Sequence, residues 1–72
     1  MNILELVIGQ LVNEKNLLEF ELEQVINDKN ITVVDKVDKS KKLLKSISEI
    51  MTTINITTGY LPVNKNEEVN NT

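Results

Sequence analysis

Leu4, Ile8, Leu11, Lys15, Leu18, Leu22 and Val25 follow one another at alternating spacings of four and three. No other feature of the chain restricts its fold as strongly. The spacing puts seven side chains on one stripe of an α-helix for three heptads, with Lys15 as the one polar interruption. A competing pattern lies inside the same stretch. Residues 18–23 read LEFELE, where apolar and acidic residues alternate as on a half-buried strand. The β-branched ITVVDKV after the turn-like NDKN of residues 27–30 would supply a second strand. The strand explains six residues, whereas the helix explains residues 3–27. Glu, Leu, Gln and Lys favour helices, and Glu is depleted in strands. The helix therefore prevails. Gly9 is its weak point, at a cost of roughly 1 kcal/mol relative to Ala.

A helical LEFELE keeps Leu18 and Leu22 on the stripe and turns Phe20 nearly opposite. Ile3, Leu6, Leu17 and Phe20 then share a second apolar sector, with Gln10, Asn13 and Gln24 among them. Scattered exposed apolar residues need no explanation, but a cluster holding the chain's one Phe is a possible interaction surface. Its two readings are a partner-binding face and a face covered by the tail or by another helix of the same bundle.

Asn27–Asn30 form a polar break. Thr32 followed by Asp35 fits a helix start, with a hydroxyl to accept from an orphan N–H and a carboxylate in the first turn. Val33, Val37, Ser40, Leu44, Ile47, Met51 and Ile54 then form a second seam, widened by Leu43 and Ile50. This helix is expected to fray in its Thr-rich end and to stop by Gly59. The expected organisation is a helical hairpin over 1–58, with helix 1 about 2–27 and helix 2 about 32–57. Residues 59–72 are expected to form a flexible C-terminal tail, since they lack periodicity and Pro62 bars helix continuation.

The short connection folds the helices back antiparallel. Opposing positions that add up to 59 would set Leu22 on Val37, Ile8 on Met51 and Lys15 on Leu44. They would also bring Glu23 to Lys36 and Glu14 to Lys45. A hairpin in a chain of 72 residues has little interior of its own, and with Cys and His both absent, disulfides and the commonest metal ligands are removed as remedies. Self-association is the remedy left. The fold class expected is all-α, an antiparallel two-helix hairpin dimerising into a four-helix bundle. Its self-association seam is Leu4, Ile8, Leu11, Leu18, Leu22, Val25, Val37, Leu44, Ile47, Met51 and Ile54.

The chemistry available is narrow. Without His or Cys, Ser40, Ser46 and Ser48 have no evident base. Glu19 and Glu23 share a side of the helix while Glu21 does not, so a solvated acidic face is expected rather than a cation site. The two glycines, Gly9 and Gly59, make no phosphate loop. No catalytic residue, cofactor or metal is therefore expected, and the chain reads as non-enzymatic. Net charge is −3, and every basic residue is Lys. Missing Arg and scarce aromatics argue against nucleic acid as a partner. The apolar start is broken by Glu5 and lacks a preceding basic residue, so neither a secretory signal nor a membrane span is expected. A cytoplasmic location is expected. Abundant Asn, Lys and Ile without Ala or Arg match the coding bias of an AT-rich genome, such as a low-GC bacterium or its phage.

Asn30-Ile31-Thr32, with Val37, Ser40, Leu43 and Ile47, resembles the turn and second helix of the small sporulation-regulating aspartyl-phosphate phosphatases of Gram-positive bacteria, which are also helical hairpins. That family's hallmark is Ser-Gln-Glu-Leu-Asp. The matching stretch here is Ser40-Lys41-Lys42-Leu43-Leu44, without the Gln, the Glu or the functional Asp. The likeness covers residues 30–47 and does not carry the activity over.

The function expected is that of a small protein-binding regulator, inhibitor or assembly factor, working as a homodimer on a protein partner. The surface expected to meet that partner is Ile3, Leu6, Leu17 and Phe20. The alternatives are a degenerate phosphatase of the sporulation type and a purely structural, self-assembling component.

Overall fold

A computed structural model describes residues 2–61. It contains two helices, α1 (Ile3–Asn27) and α2 (Val33–Thr58), packed against each other. The chain is thus all-α, and its two helices form an antiparallel hairpin. The tail expected over 59–72 lies, from Pro62 onward, outside the described residues.

Each end of each helix has a local chemical cause. The Asn2 side chain accepts from the Leu4 N–H at 2.7 Å and caps α1, with Glu5 in the first turn. At the other end Asp28 is extended, and its carboxylate accepts from the Asn30 N–H at 2.8 Å. That turn reverses the chain. Thr32 Oγ1 accepts from the Asp35 N–H at 3.1 Å and starts α2. The Thr-rich end, expected to fray, stays helical to Thr58. Thr53, Thr57 and Thr58 donate their hydroxyls to the carbonyls of Glu49, Thr53 and Ile54, so each side chain is satisfied within the helix instead of competing with it. Gly59 closes α2 with its N–H directed at the Asn55 and Ile56 carbonyls. Its φ of −65° is right-handed, so the stop does not depend on glycine.

The interior is thin. Ile47, at 7% exposure, is the one buried residue among those described. The remaining interface is half-buried. On α1 it consists of Leu4, Ile8, Leu11, Lys15, Leu18, Leu22 and Val25. On α2 it consists of Lys36, Ser40, Leu43, Ile47, Ile50, Ile54 and Thr57. Both ladders step by four and three.

The α2 ladder is displaced from the seam expected. Ser40, Ile47 and Ile54 face α1, but Val37, Leu44 and Met51 are exposed, and Leu43 and Ile50 take their inward places. Because half of the ladder is kept, the helix is turned by about half a residue step, or ~50°. The reason lies in adjacent apolar pairs. Leu43–Leu44 and Ile50–Met51 supply two equally spaced stripes, and packing can use only one of them against α1. The ladders also run from Leu4 with Thr57 to Val25 with Lys36, so opposing positions add up to roughly 61 instead of 59.

The cross-helix ion pairs expected from the earlier register are not made. Among the described residues the ion pairs are Lys15–Glu19 at 3.2 Å and Lys42–Asp38 at 3.5 Å, both one turn apart within a helix. Lys36 instead sends its ammonium to the Ile26 carbonyl, at 3.0 Å.

Candidate interaction surfaces

The turned α2 gives the hairpin two unlike sides. One side is a groove lined by Glu21, Val25, Lys39, Lys42 and Leu43, with more apolar than polar surface although three of these five residues are charged. Toward the connection it continues past Glu23, Gln24, Asn27, Asp28 and Ile31. Carboxylates from α1 and ammonium groups from α2 meet water together there, which suits solvent.

The other side is apolar. Residues one step beyond the inward ladder, away from Glu21 and Lys39, are Glu5, Val12, Glu19 and Ile26 on α1 and Val37, Leu44, Met51 and Thr58 on α2. In an antiparallel pair these positions share one flank, just as Glu21 and Lys39 share the other. Val37 and Leu44 are each 53% exposed, and Ile26 and Met51 are about as open. Val33 and Val34 extend the stripe at the connection end, where α1 has already stopped. Contiguous apolar surface of this kind is uncommon on a chain that stays alone in water.

A second apolar surface lies on the back of α1. Leu17 and Phe20 are each 62% exposed, and Ile3 and Leu6 are exposed beside them. No element of the described chain covers these four. LEFELE is therefore helical, and its Phe faces solvent on the side away from α2.

The residues named for self-association thus divide. Leu4, Ile8, Leu11, Leu18, Leu22, Val25, Ile47 and Ile54 are spent within the hairpin, while Val37, Leu44 and Met51 stay open. Ile26 and Val12 escaped the sequence reading because they stand beside the α1 ladder rather than in a stripe of their own. Their alignment with the open stripe of α2 requires the fold.

Two polar residues interrupt the ladders. Lys15 lies in the α1 ladder with 23% of its side chain exposed; its ammonium reaches Glu19 Oε2 at 3.2 Å and Asn16 Oδ1 at 3.3 Å. Its stem fills the ladder position while its head leaves for water. Ser40 occupies an inward place near the connection.

Glu19, Glu21 and Glu23 do not converge: Glu19 pairs with Lys15, and Glu21 stands on the opposite flank. Leu44 is the residue that stands where the phosphatase hallmark carries its functional Asp. Here that position is apolar and belongs to the open stripe. Among the described residues, no helix is long and apolar enough to cross a membrane. Compared with known proteins, the chain matches no family model, no curated protein and no solved structure.

Proposed function

We propose that this chain is a non-enzymatic, protein-binding regulator, an inhibitor or assembly factor, that works in the cytoplasm as a homodimeric four-helix bundle. One observation carries the proposal: a hairpin with Ile47 as its sole buried residue among those described leaves two separate apolar surfaces uncovered. One buried side chain cannot offset the ordering of some fifty helical residues, each of which costs about 1–2 kcal/mol of backbone entropy. Covering the stripe of Val37, Leu44 and Met51 supplies the missing interior. The sector of Ile3, Leu6, Leu17 and Phe20 is then left to a different protein. The composition of an AT-rich genome fits a phage or low-GC bacterial source.

The test is a comparison of the wild type with Leu17→Ser/Phe20→Ser. Circular dichroism and light scattering should report unchanged helix content and an unchanged dimer, while capture of the partner from host lysate is lost. Capture that survives the double substitution removes the proposed surface. The same protein added to an aspartyl-phosphorylated receiver domain should leave the rate of phosphate loss unchanged; an acceleration would instead establish the phosphatase reading.

A further inference from the structure

The apolar flank has an internal charge pattern that selects how a second copy would lie on it. The flank alternates between the helices. On α1 its exposed residues include Glu5, Val12, Asn16, Glu19 and Ile26; on α2 they include Val34, Val37, Lys41, Leu44 and Met51. The acidic residues all belong to α1 and the basic residue to α2. The outcome therefore depends on which helix of the second copy faces which helix of the first.

Two face-to-face arrangements preserve twofold symmetry. In one, the axis runs along the helices, both connections lie at the same end, and α1 of each copy packs antiparallel on α2 of the other. Residues at the same height then meet, with positions adding up to roughly 61, as within the hairpin. Ile26 falls beside Val34 and Val37, Glu19 falls beside Lys41, and Val12 falls beside Met51. In the other, the axis crosses the helices, the connections lie at opposite ends, and like helices pack together. Lys41 then has no carboxylate of the second copy's flank at its height. Opposite charges among matched apolar residues favour the first packing over this one.

We infer that a second copy of this chain covers the Val37–Leu44–Met51 flank with both connections at the same end, Lys41 of each copy standing beside Glu19 of the other. The inference rests on the homodimer proposed above and adds its orientation. The available area suffices. Two helices of about 25 residues, ~1.5 Å per residue and ~10 Å wide, offer about 700 Å², against the ~800 Å² per partner of a standard stable interface. Glu19 is free to take a second cation, because its pairing with Lys15 leaves its side chain half exposed. The Phe20 sector stays open in this bundle, on the back of α1.

The experiment uses a single spin label at Asn30→Cys on the full chain, which has no native Cys. Connections at the same end should give an inter-label distance of about 20 Å, and opposite ends about 40 Å, the length of a helix. In parallel, sedimentation measures dimer dissociation for Lys41→Glu, for Glu19→Lys, and for the two variants mixed. Each variant alone should weaken the dimer about tenfold, and the mixture should restore it by forming a heterodimer. A dimer with the longer distance, or one whose charge variants fail to complement, overturns this orientation and leaves the homodimer standing. A folded wild-type monomer overturns both. So does a monomer that uses Leu44 to hold a foreign protein, as shown by capture that Leu44→Glu abolishes.

Discussion

The Lys36 ammonium lies 3.0 Å from the Ile26 carbonyl oxygen, so the second helix adds a cap to the last turn of the first, beside the Asp28 N–H on the Val25 carbonyl and the Asn27 amide on the Glu23 carbonyl. α1 has no basic residue in its last turn. Its final carbonyls carry the negative end of the helix dipole and have no partner within the helix. Lys36→Met keeps the stem and removes the charge. We expect a loss of about 0.5–1.5 kcal/mol, read as a lower urea midpoint, while Lys36→Arg keeps most of the stability. The difference between wild type and Met should shrink in high salt. Equal midpoints for all three proteins would show that the contact has no energetic weight.

Leu43 and Leu44 are neighbours in sequence with different work to do. Leu43 is half-buried in the α2 ladder, and Leu44 is on the open flank. Leu43→Ala should destabilise the hairpin by about 2 kcal/mol, the low end for a core truncation, by the same amount at every protein concentration. Leu44→Ala should mainly weaken association, so its melting temperature should fall most in dilute solution. Identical concentration dependence for the two would mean that the seam does not distinguish them.

That pair also marks what could be read without the fold. The α1 ladder was legible because each step carries one apolar residue, or Lys15, and no neighbour offers a second phase. The α2 ladder was ambiguous because Leu43–Leu44 and Ile50–Met51 allow two ladders about 50° apart that share Ser40, Ile47 and Ile54. The choice between them is made by packing, and it took Lys36 from an expected partner in Glu23 to a carbonyl of α1. The Phe20 sector was visible in the sequence because it stands alone on its side of α1. The flank shared by Ile26, Val12, Val37, Leu44 and Met51 was not, since it draws on two helices whose phase had to be fixed first.

Lys15 occupies an inward position at the level of Ile47 when the ladders are counted from their ends. Its ion pair with Glu19 is partly exposed, and such pairs contribute roughly 0–1 kcal/mol. Lys15→Leu trades that for apolar contact, and we expect the midpoint of thermal unfolding to rise. The cost is specificity, since a polar residue in a seam restrains register and oligomer number. Sedimentation of Lys15→Leu should show a broader mixture of assemblies than the wild type. A single species with a raised midpoint would assign Lys15 no part in choosing the assembly.

Gly9 and Gly59 should answer alanine differently. A Cβ added at Gly9, in the interior of α1, meets nothing within 4 Å. The substitution removes the entropy that glycine loses in a helix without adding a clash, so Gly9→Ala should stabilise by about 1 kcal/mol. At Gly59 the Cβ would lie 3.3 Å from the Ile56 carbonyl, a tight contact on backbone, and the residue sits at the cap where helix propensity counts for less. Its right-handed φ removes the usual reason for glycine there. Gly59→Ala should therefore change stability by no more than a few tenths of a kcal/mol. Chemical denaturation of the two variants decides the matter. A Gly9→Ala protein no more stable than wild type would mean that the open space beside Gly9 is filled in solution.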